Sequence, residues 1–117
     1  MTTPTSIRPD QLPATIQGYL AAHRDRDTDV ALRAFTPAAV VVDDGTTYEG
    51  TEEIRRFLSK AGAEFTYTTT LVAAERTEDT TWVAVHRLEG DFPGGVAVLR
   101  YRFTLDGDLV SELVIAP

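Results

Sequence analysis

Five side chains in this sequence are of types that move a proton or steady a developing charge: Asp43, Tyr19, His86, Glu112 and His23. A carboxylate at the lip of an apolar pocket is poorly solvated, so its pKa rises toward the range of a general base. Asp43 ends the apolar run Ala39-Val40-Val41-Val42 and suits that role. The same residue also begins Asp43-Asp44-Gly45, which reads equally well as turn chemistry. The Tyr19 hydroxyl can donate to an oxyanion, or simply sit at the rim of a core. His86 is an acid/base or ligand-orienting donor, with a satisfied core histidine as the plainer reading. Glu112 can pair with His86 or act as the acid opposite Asp43, two carboxylates that would push each other's pKa apart. Its alternative is a solvated strand residue. His23 lies one helical turn beyond Tyr19, at a pocket mouth or packed in the core.

Other chemistries find less support. There is no cysteine, which excludes a disulfide framework, a thiolate metal site and a cysteine nucleophile. No Gly-rich phosphate loop or serine elbow occurs. Asp106-Gly107-Asp108 is a hairpin turn, too short for a calcium loop. His23, His86 and a carboxylate are permissible metal ligands, but no local spacing joins them. No metal and no cofactor is expected. The formal net charge of −7 disfavours a phosphate-backbone partner, so no nucleic acid is expected. The N-terminus lacks a signal peptide's apolar core, and no apolar run approaches the ~20 residues that span a bilayer. A cytoplasmic protein without membrane contact is the expectation.

These residues need elements to position them. Residues 1–10, with Pro4 and Pro9, read as a flexible tail, and 11–117 as a single domain, which 117 residues suit. Leu12, Ile16, Tyr19, Leu20 and His23 recur at helical spacing, in a first helix that begins near Leu12 or Pro13. Gly18 within that helix suggests close packing against a sheet. Asp27 or Thr28 caps a short second helix running through Val30, Leu32 and Phe35, ended by Thr36-Pro37. Ala39 to Asp43 is a strand, Asp44-Gly45 a hairpin turn and Thr46 to Glu49 the return. Thr51 caps a third helix with Ile54, Phe57, Leu58 and Ala61 on one face, closed by Gly62. Strands then follow over Phe65–Arg76, Trp82–Glu89, Val96–Leu105 and Leu109–Ala116. The fold class is α+β: three helices packed in the concave face of a curved, mainly antiparallel sheet, a cone-shaped barrel with a pocket between the layers.

Strand alternation sorts the faces. Trp82, Ala84, His86 and Leu88 form one inner row, and Ala97, Leu99, Tyr101 and Phe103 the next. Leu113 and Ile115 share a face, with Glu112 on the other beside Val114 and Ala116; the pattern does not say which of these faces is inner.

Gln17-Gly18-Tyr19-Leu20-Ala21-Ala22, Asp27, Asp29, Phe35, Ala39 to Asp43 and Gly50-Thr51-Glu52-Glu53-Ile54-Arg55-Arg56-Phe57 together carry a resemblance. They resemble the SnoaL-like and ketosteroid-isomerase branch of the nuclear transport factor 2 superfamily, and the strand order extends the likeness over nearly the whole chain. The resemblance implies the cone-shaped fold. It matches Tyr19 to the catalytic tyrosine of the steroid isomerases and Asp43 to their aspartate base. It puts Leu99 where those enzymes hold a protonated aspartate, a departure that argues against steroid isomerisation. It also implies pocket positions for Trp82, His86 and Glu112.

The expected function is binding of a small, largely apolar molecule, with cofactor-independent isomerisation, cyclisation or dehydration as the enzymatic form. Asp43 is then the base and Tyr19 or His86 the donor, with Glu112 as a further acid. Phe57, Trp82, Leu99 and Tyr101 form the walls, with His23 at the mouth. The alternative is a non-catalytic binding or dimerisation module; its outer sheet face, with Arg87, Arg100 and Arg102, would meet a second copy in a homodimer.

Overall fold

The computed structural model describes residues 4–60 and 66–117. Among them are three α-helices and seven strands. Strand β1 (Thr5–Ile7) leads through a single 3-10 turn into α1 (Ala14–Arg24) and α2 (Thr28–Leu32). Then come the hairpin β2 (Phe35–Asp43) and β3 (Thr46–Glu49), helix α3 (Gly50–Lys60), and the meander β4 (Tyr67–Glu78), β5 (Thr81–Gly90), β6 (Val96–Asp106) and β7 (Leu109–Ala116).

All seven strands join one sheet in the order β1-β4-β5-β6-β7-β2-β3. Short turns force antiparallel pairing along the meander and within the hairpin. The hairpin joins the meander through β2 and β7, the one parallel pair among the described strands. Asp44 (φ 51°) and Gly45 (φ 79°) are both left-handed, the geometry a two-residue hairpin turn needs to match strand twist.

Local sequence explains the helix starts. Pro13 stands at the N-terminus of α1, where its missing N–H costs nothing. The Asp27 carboxylate accepts a hydrogen bond from the Val30 N–H and caps α2. The helices bury one face each: Ile16 and Tyr19 from α1, and Ile54, Phe57 and Leu58 from α3. These meet Val41, Phe103, Val110 and Leu113 of the sheet in one core. Each fully buried large apolar side chain contributes about 1.5–3 kcal/mol.

Three expectations are corrected. The segment Thr5–Ile7, read as part of a loose tail, pairs antiparallel with β4. Phe35 does not continue the second helix; it opens β2 and pairs with Val110. Pro37 is accommodated there because the pairing with β7 lapses between Phe35 and Val40. Gly18 is exposed, and a Cβ on it would meet nothing within 4 Å, so it serves no close packing. Val110 faces the core together with Leu113 because the β6–β7 register shifts beside Ser111, which inverts the side-chain alternation. The expected helix residues Ala61 and Gly62, and Phe65 at the start of the fourth strand, lie outside the described residues.

Candidate functional site

Asp43 is the last residue of β2, paired with Thr46 of β3 and Ile115 of β7. It precedes the hairpin turn and also lines a chamber of about 460 Å³. The turn and pocket readings of Asp43 are therefore compatible. Phe57, Leu88, Ala97, Leu99 and Ile115 supply apolar wall, and Tyr67, Tyr101 and His23 supply polar edges. The volume lies within the usual range for small-molecule sites. Burial, and then the neighbouring Asp44 carboxylate, raise the Asp43 pKa above its ordinary value.

Two tyrosines share this electrostatic environment. Tyr101 is pushed up by burial, then by Tyr67 and by Asp43. Tyr19 is pushed up by burial, then by Tyr101, Asp43 and Tyr67. Only Tyr101 borders the chamber. Tyr19 is 1% exposed, its ring parallel to His23 at 5.8 Å and edge-on to Phe35 at 5.3 Å and Phe103 at 5.6 Å. Its hydroxyl is buried without a hydrogen-bond partner among the described residues. Tyr19 thus stands behind the wall, and Tyr101 is the one of the two whose phenol borders the chamber.

His86 faces inward as alternation predicts, but into a second chamber of about 330 Å³. It is 6% exposed, and its Nδ1 is buried without a partner among the described residues. Burial, then the charge of His23, lower its pKa to about 4, so the ring is neutral at pH 7. Its ring lies 4.7 Å from that of Tyr101. His23, Tyr67 and Tyr101 border both chambers, so Asp43 and His86 sit on opposite sides of one shared wall.

Two expected site residues are elsewhere. Trp82 borders neither chamber: it sits at the far end of β5 from Leu88, with the Arg76 guanidinium 5.3 Å from its ring centre. Glu112 lies on the outer sheet face, 3.6 Å from the Arg102 guanidinium, with its side chain 44% exposed. The register shift at Ser111 puts Val110 inward and leaves Glu112 facing outward. Glu112 is therefore no partner for Asp43 or His86.

Tyr67, Phe92, Arg24 and Arg26 border the chambers without having been singled out from sequence. Tyr67 belongs to a strand whose register the sequence does not reveal, and Phe92 to a Pro/Gly turn. Gly90 faces Tyr67 across the strands. A Cβ there would lie 2.4 Å from the Thr66 carbonyl oxygen and 2.5 Å from the Tyr67 Cβ. Glycine at 90 is what lets the shared wall form. No group of three or more His, Asp or Glu side chains among the described residues is arranged to hold a metal ion, and no described helix is long and apolar enough to cross a membrane.

Comparison with known proteins places the fold. No curated protein sequence matches the chain. A crystal structure of a candidate polyketide cyclase from Sinorhizobium meliloti matches with a TM-score of 0.85 and 26% identity, over 94% of this chain and 100% of that one. A Catenulispora acidiphila protein of ketosteroid isomerase-like fold, crystallised with trimethylamine, matches with a TM-score of 0.76 and 16% identity over 90% and 85% of the two chains. A Mycobacterium tuberculosis protein in complex with estradiol-17β-hemisuccinate matches with a TM-score of 0.71 and 14% identity over 88% and 90%. The SnoaL-like domain family matches residues 16–111, and the chain belongs to that family.

Proposed function

We propose that the chain binds a small, largely apolar carbonyl compound in the Asp43 chamber and catalyses a cofactor-independent proton transfer next to the carbonyl. One observation carries this reading: a poorly solvated carboxylate, Asp43, shares an apolar chamber with the phenol of Tyr101. Asp43 takes a proton from the carbon beside the carbonyl. The electron pair moves onto the carbonyl oxygen, which accepts a hydrogen bond from the Tyr101 hydroxyl. Tyr19, buried behind Tyr101, keeps that region poorly hydrated and serves as a positioning residue rather than the direct donor. Return of the proton to another carbon gives isomerisation. Attack of the enolate carbon on a second carbonyl, followed by protonation of the resulting alkoxide, gives ring closure. The likeness to a candidate polyketide cyclase supports the second outcome.

The test is hydrogen–deuterium exchange at the activated carbon of β-tetralone in D2O, followed by NMR. The expected result is acceleration by the protein, and a loss of about 100-fold or more in Asp43→Asn, the scale of a positioned general base. Exchange undiminished by that change sinks the mechanism.

A second reading, the binding or dimerisation module, draws on the outer sheet face. Val72, Val96 and Val98 are each about half exposed there. The arginines expected to form a polar dimer interface are engaged within the chain: Arg87 with Glu89, Arg100 with Glu75 and Arg102 with Glu112. A homodimer would use the valines instead, and light scattering of Val98→Glu against the parent chain reports it.

A further inference from the structure

The second chamber carries a feature that the Asp43 mechanism does not use. It lies between the end of α1 and the start of β4, and its polar lining comes from His86, Arg24, Arg26, Thr68 and Thr69 beside the shared wall. No carboxylate among the described residues borders it, in a chain whose net charge is −7. Arg24 meets Asp25 at 3.7 Å with both side chains largely exposed, an arrangement too weak to neutralise it. His86 is more than nine-tenths buried, with a ring nitrogen that no group among the described residues satisfies. A buried polar atom without a partner is destabilising, so it marks a place where a ligand atom is favoured.

We propose that this chamber is an anion subsite, and that the protein takes an elongated ligand with an apolar, ring-bearing head in the Asp43 chamber and a carboxylate tail beside His86, Arg24 and Arg26. The tail passes the shared wall of His23, Tyr67 and Tyr101. One carboxylate oxygen accepts a hydrogen bond from the His86 ring N–H, in the tautomer protonated at Nδ1. The guanidiniums at the rim attract the charge and so favour it over a neutral tail of the same shape. The assignment rests on reading the Asp43 chamber as the site of the apolar head.

The test uses calorimetric titration with β-naphthylbutanoate and its primary amide, which share a head and differ in tail charge. The expected result is about tenfold tighter binding of the acid, corresponding to about 1.4 kcal/mol. In Arg24→Gln/Arg26→Asn that preference falls to near unity, while affinity for the amide holds. Asparagine is chosen because Arg26 has φ 59°, a conformation that asparagine tolerates. In the unaltered protein, NMR should show the acid, and not the amide, shifting the His86 ring nitrogen signals. Equal affinities overturn the subsite and leave the apolar chamber standing, as does a preference that survives in the double variant. Failure of both probes to bind overturns the subsite and the apolar chamber together.

Discussion

The two faces of the sheet handle charge in opposite ways. On the outer face each arginine of the central strands sits beside a carboxylate in water: Arg87 with Glu89, Arg100 with Glu75 and Arg102 with Glu112. Such exposed pairs contribute little to stability. On the inner face burial is the leading influence on Asp43, Tyr101, Tyr19 and His86, and it moves all four toward their neutral forms. The proposed proton transfer draws on the second arrangement. Glu112, half exposed beside the Arg102 guanidinium, belongs to the first.

The contrast can be broken at several points. The largest expected effect on stability comes from Gly90→Ala. The new methyl group has no room against Thr66 and Tyr67, so the cost is about 1–3 kcal/mol in chemical denaturation, the scale of overpacking. The displaced Tyr67 should also weaken binding of β-tetralone. Stability unchanged by this variant would mean that the shared wall is loosely built.

Asp43→Asn should act in the opposite direction on stability. The folded protein raises the Asp43 pKa, so ionisation disfavours the fold, and the stability present at low pH is lost as the pH rises through the folded value. Asparagine removes that loss. The melting temperature of Asp43→Asn should therefore exceed that of the parent at pH 7, and the gap should close as the pH falls below the raised value. A lower melting temperature at pH 7 would contradict the picture of a poorly solvated carboxylate. The smallest effect is expected for Glu112→Gln, within about 0.5 kcal/mol in stability, with β-tetralone exchange unchanged. A large loss of exchange there would return Glu112 to the site.

Much of this contrast was legible in the sequence, and its failures have a common cause. Alternation along β5 and β6 put His86, Leu99 and Tyr101 inward, because side chains on an unbroken strand must alternate. The Asp-Gly hairpin turns were readable because few residues tolerate positive φ. Family resemblance favoured an inward Glu112, and Trp82 was placed in the pocket on its inward face; neither lines it. Alternation had already separated Glu112 from Leu113 and Ile115. What it lacked was the register shift at Ser111, which shows in pairing partners and not in residue type. Trp82 has the right face but the wrong end of β5, and distance along a strand from a pocket is invisible without the register of its neighbours. The same limit hid Tyr67. Division of the interior into two chambers was unreadable, since it depends on how Tyr101, Tyr67 and His23 meet across three elements.

The central claim is that Asp43 is a carboxylate held in apolar surroundings with its basicity raised. Titration of its side-chain carboxyl carbon by NMR, with and without β-tetralone, measures this directly. The account predicts a midpoint above the ordinary 3.8, rising further when the ketone displaces water from the chamber. A midpoint at or below the ordinary value, unmoved by the ketone, would contradict it.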